Sequence, residues 1–482
     1  MADRSTAPAS ADWTATLALS LLSFVATLWV QRGILFNFPT SADEYAYLWQ
    51  ARAFSQGQLL SEAPHPLETF AFFHLGELNG LRYSRFPVGW PLLLTPLTWL
   101  GVEWLTNPLL GACAVAGIHR LGIRWVGLAA ATWGVLLVLL SPFFLLNVAS
   151  YHSHPASLFS GVCLALSLVR AQASSAHAAR WGIVSGLSFG LAVLMRPFTA
   201  LLMGVPLMLF LTRGFSRRWW SAFFLGGLPT LLIFLEVNRA ITGHWLTLPT
   251  VLYDPQEGLG FGVHGHSVQQ GLQNTLLWSL EGLGFTFFMT PVLIFFARGR
   301  AGAHEKLLWS LLLAPVIGYF FYWNPGGFRY GPRFWFEALF PFALLVGVGL
   351  EQLRTRPLWR RLLPLFALLG LLGLSKMLLD ERQRMSDRRI LQVKLEQEPL
   401  SDAIILLLNS HGDLPVYDLT RNPPDFRAQP VLFGMGRGAA DAEVAAAWPD
   451  RTLYYYRWSP EGGTLWPYHP LQVEIPDPLP DK

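Results

Sequence analysis

The sequence predicts an α-helical polytopic membrane protein that ends in a small α/β soluble domain. Of its 482 residues, 52% are hydrophobic and only 14% are charged, whereas soluble domains carry about 25% charged residues. Residues 1–379 hold 39 of the 66 charged side chains, and residues 380–482 hold the other 27. We therefore expect a transmembrane domain at 1–379 and a soluble domain, here called the tail, at 380–482. This composition excludes a soluble enzyme and a nucleic-acid-binding protein.

Eleven apolar runs in the first part are candidates to cross about 30 Å of hydrocarbon. They lie near 13–31, 104–120, 125–144, 156–172, 181–195, 197–212, 219–240, 276–297, 306–323, 334–350 and 362–379. Of the 24 Lys and Arg residues in this part, 15 fall on the N-terminus and the short connectors that share its side. Because Lys and Arg collect on cytoplasmic connectors, we expect a cytoplasmic N-terminus. The odd number of spans then places the tail in the periplasm or its equivalent, in a multi-pass protein of the inner (cytoplasmic) membrane.

Two connectors on the outer side are large, at about 32–103 and 241–275. In the connector at about 32–103, the sequence predicts a short amphipathic helix at 43–56 on the membrane surface. Three aromatic rings of this helix would lie in the headgroup layer: Tyr47, Trp49 and Phe54. The apolar stretch at 87–100 holds three prolines, which favour a re-entrant segment over a span. The tail predicts strands and one helix, in the order 404–408, 415–417, 430–433, helix 440–448 and 453–458.

Two acidic residues, Asp43 and Glu44, follow the first span and begin the predicted surface helix. The dipole of a helix stabilises ionised carboxylates near its N-terminus, so one interpretation is a helix cap. The other interpretation is a general base at the boundary between membrane and water. The spacing of the two residues leaves both interpretations open.

Five arginines on the outer side, two of them beside tyrosines, are candidates for binding an anion. Arginine suits phosphate because its planar guanidinium offers paired donors and stays charged. The alternative is that each arginine extends separately to a lipid headgroup. Five arginines with adjacent aromatic residues on one face favour an anionic ligand. The candidates are Arg82, Arg85, Arg196, Arg329 and Arg333, with Tyr83 and Tyr330.

Two weaker motifs concern metals and nucleotides. His152 and His154, like His264 and His266, are spaced i, i+2, which places both rings on one face of an extended loop. A zinc site needs three or four ligands, which the sequence does not supply, so we expect polar interfacial residues by default. A divalent metal is compatible with the sequence but not required, and no cofactor is predicted. The GxGxxG at 260–265 is not a dinucleotide site, because no strand and helix flank it.

Several stretches, taken in order, resemble a known family. SADEYAYLWQARAFSQGQ and RYSRFPVGWPLLLTP lie in the first outer loop, and GLAVLMRPFTALL, VNRAITGHW and NPGGFRYGPRFWFEALFPF follow. Over about residues 12–350 the sequence resembles the C superfamily of membrane glycosyltransferases (GT-C). Within it, the sequence is similar to bacterial relatives of protein O-mannosyltransferase and aminoarabinose transferase (ArnT).

The resemblance implies an enzyme that takes a sugar from a polyprenyl-phosphate donor and passes it to a lipid, glycan or protein acceptor outside the cytoplasm. The catalytic acid of the family lies in the first outer loop and matches Asp43, with Glu44 as its neighbour. The donor-phosphate contacts of the family match Arg85 and Arg333 best. The less certain matches are Arg82, Tyr83, Arg196, Arg329 and Tyr330.

Two other classes of protein compete with this interpretation. A transporter or lipid flippase of envelope glycolipids would also suit eleven spans, but it predicts inverted repeats with broken helices near the bilayer midplane. Here the acids and arginines lie in outer loops instead. A membrane scaffold with a binding tail would leave the charged cluster of the first loop unexplained. We therefore favour an inverting glycosyltransferase.

Overall fold

The computed structural model describes residues 9–285, 290–326, 330–408, 422–459 and 462–469. Helices dominate the first part of the chain: α1 (Ala9–Gly33), α2 (Ala42–Ser55), α3 (Gly89–Thr98), α4 (Thr106–Trp125), α5 (Leu128–Leu139), α6 (Pro142–Ala149), α7 (His154–Ala173), α8 (Ala178–Met195), α9 (Pro197–Leu211), α10 (Arg217–Thr242), α11 (Pro249–Tyr253), α12 (Val268–Phe285), α13 (Thr290–Ala297), α14 (Glu305–Tyr319), α15 (Leu339–Arg354) and α16 (Pro357–Arg388). A short helix, α17 (Ile390–Gln397), leads into the tail. Each predicted apolar run overlaps at least one of these helices.

Six helical segments among the described residues are long and apolar enough to cross a membrane: Trp13–Gly33, His154–Ala173, Ala178–Met195, Arg217–Thr242, Arg333–Arg354 and Pro357–Arg388. Helices α5 and α6 form a seventh candidate, a pair bent by 63°. The other predicted spans fall on α4, α9, α12 with α13, and α14. Helix α9 is apolar but only 15 residues long, and α4 carries Arg120 and Arg124 near its end. The count of eleven spans therefore stays a prediction.

Close helix contacts fix the position of α15, which begins at Leu339 after the short 3-10 helix Arg333–Ala338. Gly134 of α5 lies against the carbonyl of Ala343, and Gly347 of α15 lies against the carbonyl of Ala130. A methyl group at either glycine would overlap these backbone atoms. Small residues at such crossings let membrane helices approach closely, so α5 and α15 pack backbone to backbone.

The first outer loop contains the predicted surface helix and a small sheet. Helix α2 is followed by β1 (Ser61–Glu62), β2 (Leu75–Leu78) and β3 (Leu81–Ser84), which form an antiparallel sheet in the order β1-β3-β2. Ten residues of α2 are buried. They include Tyr47 and Trp49, whose rings we predicted to lie in the lipid headgroup layer. That part of the prediction is wrong, because the ring of Tyr47 packs 4.7 Å from the ring of Phe86 inside the protein.

The connectors predicted on the outer side meet in one region. The first loop contacts the loop that follows α10, through the backbone of His74 and the hydroxyl of Tyr253. The start of α2 contacts the α6–α7 connector, where Tyr151 donates its N–H to Glu44. These contacts gather the predicted outer loops, and the polar residues they carry, at one end of the helices.

The tail contains a four-stranded sheet with the order β5-β4-β6-β7. Its strands are β4 (Ala403–Leu407), β5 (Val431–Met435), β6 (Thr452–Arg457) and β7 (Thr464–Pro467), with α18 (Asp441–Ala447) between β5 and β6. Strand β4 pairs parallel with β5 and β6, and β7 pairs antiparallel with β6. These elements match the predicted runs at 404–408, 430–433, 440–448 and 453–458, whereas the predicted strand at 415–417 lies outside the described residues.

The first outer loop supplies part of the hydrophobic core of the tail. Phe70 is fully buried and packs with Ile404, Leu432 and Val444. The indole of Trp448 donates 2.6 Å to the carbonyl of His65. The tail thus shares its core with the first outer loop.

Replacing Phe70 by alanine should detach the tail from the loop. Removing a fully buried phenylalanine costs about 3–5 kcal/mol, and the ring lies at the junction of the two parts. We expect Phe70→Ala to expose strands β4, β5 and β6 to limited proteolysis under conditions where these strands resist in the wild type. The control variant Phe295→Ala removes a ring that is 69% exposed, and the protease should cleave it like the wild type. Equal tail protection in Phe70→Ala would contradict the shared core.

Candidate active site

Asp43 lies between two donors at the start of α2. Its Oδ1 is 2.7 Å from Nε2 of His74, and its Oδ2 is 2.8 Å from Nη1 of Arg333. Burial would raise the pKa of Asp43, but Arg333 and His74 together hold this pKa well below its ordinary value. The carboxylate is therefore ionised at neutral pH. Its side chain keeps 18% exposure, so another molecule can reach it.

Glu44, the adjacent acid, has a different environment. It is fully buried, and its carboxylate accepts bonds from the hydroxyls of Thr40 and Ser41 and, at 2.8 Å, from the N–H of Tyr151. These contacts tie the beginning of α2 to the α6–α7 connector. The placement of Glu44 favours a structural role, whereas Asp43 makes no such capping contact.

Arg85 forms a second pair beside the first. Its Nη2 donates 2.8 Å to Glu257 and 3.1 Å to the hydroxyl of Thr250, and its guanidinium lies 4.7 Å from the ring centre of Tyr253. Glu257 also accepts a 2.8 Å bond from the hydroxyl of Tyr322. The backbone N–H of Arg85 donates to the carbonyl of His74. The Arg85 pair is therefore linked to the group that surrounds Asp43.

Arg196 approaches the same group from the α8–α9 connection. It donates 3.1 Å to the hydroxyl of Tyr319 and lies 3.3 Å from Glu337. The guanidinium groups of Arg196 and Arg333 lie 5.6 Å and 5.9 Å from the ring centre of Phe334. Three of the five predicted arginines, Arg85, Arg196 and Arg333, thus surround the region of Asp43.

The other predicted residues are placed differently. Arg82 is buried and bonded to Glu77 and to the carbonyl of Phe70, which holds the hairpin of the first loop. Tyr83 is buried on β3, and burial raises its pKa. The hydroxyl of Tyr330 donates 2.6 Å to Glu381 near the end of α16. Arg329 lies outside the described residues.

The four candidate histidines occupy two separate places. His152 lies 3.4 Å from Glu44, and His154 lies 3.5 Å from Arg196. Burial lowers the pKa of His152, which favours the neutral form of its ring. His264 contacts Asp254 at 3.0 Å, while His266 contacts the carbonyl of Phe320.

Within the part of the chain that the structure describes, one group of three residues has ligand atoms close enough for a metal. These residues are Asp254, Glu257 and His264, whose atoms lie within 4.8 Å of one another. Neither predicted histidine pair forms such a group. Both oxygens of Glu257 already accept bonds from Arg85 and Tyr322, so metal binding there would displace Arg85 or Tyr322 from at least one oxygen.

Sequence reasoning did not single out His74, Glu257 or Glu337. His74 stands in an unremarkable stretch, FFHLGE, and its only signal was being a histidine on the predicted outer side. Glu257 lies 172 positions from Arg85, and no local pattern joins them. Tyr253, whose ring lies beside the guanidinium of Arg85, was likewise only one of several aromatic residues on the predicted outer side.

No family model matches this sequence, and no curated protein is detectably similar to it. Solved structures do match. The chain is similar to ArnT from Cupriavidus metallidurans bound to undecaprenyl phosphate, with a TM-score of 0.56 over 93% of both chains and 15% identity. The apo state of that protein gives a TM-score of 0.54 at the same identity and coverage. The archaeal oligosaccharyltransferase AglB from Archaeoglobus fulgidus, in complex with an inhibitory peptide and a dolichol-phosphate, gives 0.51 at 12% identity, over 96% of this chain and 75% of its own.

The chain has the fold of these ArnT and AglB structures. The resemblance noted in the sequence is thus confirmed for the architecture, and the matched share of 93% exceeds the stretch 12–350 on which the resemblance was based. At 15% identity, the similarity concerns the arrangement of the helices and their connectors. The chemistry of the site rests on the residues described above.

Proposed function

We propose that this protein is an inverting glycosyltransferase that takes a sugar from a polyprenyl-phosphate donor on the outer face of the cytoplasmic membrane. The observation that carries the proposal is the ionised carboxylate of Asp43, accessible and bonded to His74 and Arg333. It lies in a GT-C fold at the place where the predicted outer loops meet. The acceptor is a lipid, a glycan or a protein.

Two arginines would hold the phosphate of the donor. Arg85 and Arg333 each pair with one carboxylate, Glu257 and Asp43. Because a guanidinium binds phosphate with the same paired donors that it offers a carboxylate, the donor can take the place of these partners. The matched ArnT structure is bound to undecaprenyl phosphate and the matched AglB structure to a dolichol-phosphate, which supports a ligand of this class.

The proposed reaction is a direct displacement at the anomeric carbon. The oxygen of an acceptor hydroxyl forms a bond to that carbon while its proton passes to Asp43. The bond from the carbon to the phosphate oxygen breaks, and its electron pair leaves with the polyprenyl phosphate. Arg85 and Arg333 stabilise the charge that the phosphate gains. Attack opposite to the leaving group inverts the anomeric centre.

Arg333 also controls when Asp43 can act. Its guanidinium contacts Oδ2 of Asp43 and lowers the affinity of that carboxylate for protons. When the donor phosphate binds Arg333, Oδ2 becomes free and its proton affinity rises. The base would therefore become active only with the donor in place.

The predicted topology places this chemistry outside the cytoplasm. A reporter enzyme that works only in the periplasm, fused after Lys482, should be active, because the positive connectors hold the N-terminus inside. The same reporter fused after Arg124, on a predicted inner connector, should be inactive. An inactive but stably expressed fusion at Lys482 would show that the count of eleven spans is wrong by one.

Transfer in vitro tests the proposed function. Comparing envelope glycans and lipids by mass spectrometry, with and without the gene, first identifies the sugar and the acceptor. Purified protein should then move that sugar from a synthetic polyprenyl-phosphate donor to that acceptor. If the protein instead carries the intact donor across proteoliposomes and forms no new glycosidic bond, it is a flippase and the proposal fails.

A further inference from the structure

The two oxygens of the Asp43 carboxylate are not equivalent. Oδ1 receives a hydrogen bond from Nε2 of His74, and Oδ2 receives the guanidinium of Arg333. His74 belongs to the same outer loop as Asp43, comes 31 positions later and lies directly before β2, whereas Arg333 lies before α15. Each oxygen thus has its own donor from a different element.

His74 is held in place by contacts that do not involve Asp43. Its backbone adopts a φ of +75°, a left-handed conformation that costs a non-glycine residue about 1–3 kcal/mol and is concentrated at functional sites. Its N–H donates to the hydroxyl of Tyr253, and its carbonyl accepts from the N–H of Arg85. Its ring lies 4.1 Å from the ring of Phe73 and 4.9 Å from that of Phe86. The imidazole is therefore fixed before any substrate binds.

The contacts of the ring identify the donor atom. Nδ1 of His74 is buried and has no hydrogen-bond partner among the described residues. Nε2 lies 2.7 Å from Oδ1 of Asp43, and an N–H at that nitrogen satisfies the carboxylate oxygen. His74 therefore donates to Asp43 through Nε2.

We infer that His74 is a positioning residue that binds Oδ1 of Asp43 and so selects Oδ2 as the oxygen that accepts the proton of the acceptor. The inference rests on the proposed glycosyl transfer. In the reacting complex Arg333 has moved to the donor phosphate, and Oδ2 faces the acceptor hydroxyl. The acceptor oxygen bonds to the anomeric carbon, its proton goes to Oδ2, and the electron pair of the broken bond leaves with the polyprenyl phosphate. His74 keeps its own proton throughout.

Without His74, the Asp43 carboxylate would lose the contact that orients it. Oδ1 would lose the donor that lies 2.7 Å away, and the carboxylate could turn about its last torsion. Oδ2 would then face the acceptor hydroxyl for only part of the time, which slows the chemical step.

Replacing His74 by alanine or by glutamine tests the inference. His74→Ala should lower kcat about 10–100-fold, the loss expected for one hydrogen bond to a charged group, with the KM for the donor changed less than threefold. His74→Gln retains an N–H donor for Oδ1 and should recover most of the lost rate. His244→Ala, an exposed histidine of the outer side, should match the wild type.

The pH profile separates positioning from a general structural effect. The groups that face Asp43 are His74, Arg333, His152, His154 and Tyr47. His74 helps hold the pKa of Asp43 down, so its loss should raise that pKa and move the acid limb of kcat/KM to higher pH. The limb should stay in place in His74→Gln. Infrared difference spectra of the Asp43 carboxyl, assigned with Asp43→Asn, should show the same upward shift without any turnover.

The outcomes that would overturn the inference are distinct from failure of the proposed function. An unchanged kcat in folded His74→Ala, a loss confined to KM, or a carboxyl titration equal to the wild type would each overturn it. A His74→Gln variant as slow as His74→Ala, with the same acid limb, would also do so. Wild-type protein that transfers no sugar would refute the proposed function, while the infrared titration would still decide whether His74 controls Asp43.

Discussion

Asp43→Asn should reduce sugar transfer by about 10²–10⁴-fold, the range typical for loss of a positioned general base. Asparagine has the shape of aspartate and still accepts the hydrogen bond from His74 through its carbonyl oxygen. It cannot take a proton, and it cannot pair with Arg333. Because Arg333 then has no competing carboxylate, binding of the donor should persist or become tighter. The measurement is transfer by purified protein, together with the Kd of the donor.

The same substitution distinguishes a base from a helix cap. Asparagine caps helices about as well as aspartate, so a capping residue would tolerate the change with little loss. Asp380→Asn is a matched control, because Asp380 forms an exposed pair with Lys376, and this variant should transfer sugar at the wild-type rate. Near-equal activity of Asp43→Asn and the wild type would remove Asp43 from the reaction and leave Glu44 as the next acid to test.

The architecture was largely accessible from the sequence. Long apolar runs and the distribution of Arg and Lys predict helices, and the helices of the structure overlap every predicted run. The strands of the charged tail were likewise predictable, because short continuous apolar runs such as 404–408 have a local signal. A local pattern does not show which distant residues pack against one another. In the sequence, Phe70 is one of several aromatic residues in a loop, whereas in the structure it is part of the hydrophobic core of the tail.

The candidate site was predictable by residue type but not by role. Asp43 and Glu44 are neighbours with the same chemistry, and the difference between them comes from the N–H of Tyr151, which lies 107 positions away from Glu44. Arg82 and Arg85 stand three residues apart, but one is bonded inside the hairpin while the other reaches Glu257 in a different loop. Such differences arise from tertiary contacts, which a single sequence does not encode in any short pattern.

Arg333→Ala should weaken binding of the donor about 10–100-fold, since a hydrogen bond to a charged group is worth about 1.5–3 kcal/mol. Arg333→Lys should recover part of this loss, because lysine keeps the charge but lacks the forked donors that match phosphate. Arg85→Ala should weaken donor binding by a similar factor. Arg298→Ala, an exposed arginine on a predicted inner connector, is the control and should bind the donor like the wild type.

The pH dependence separates the two arginines. Arg333 is the largest of the influences that hold the pKa of Asp43 below its ordinary value, against the opposing effect of burial. Without Arg333, the effect of burial, which raises the pKa of Asp43, is opposed by fewer charges. The pKa of Asp43 therefore rises, and the carboxylate becomes protonated at a higher pH than in the wild type. The acid limb of kcat/KM should therefore move upward in Arg333→Ala and stay in place in Arg85→Ala, whose guanidinium pairs with Glu257 instead. If both variants weaken donor binding and neither moves the acid limb, Arg333 binds the donor without controlling Asp43. If Arg333→Ala binds the donor as tightly as the wild type, the phosphate lies elsewhere and the assignment of Arg333 is wrong.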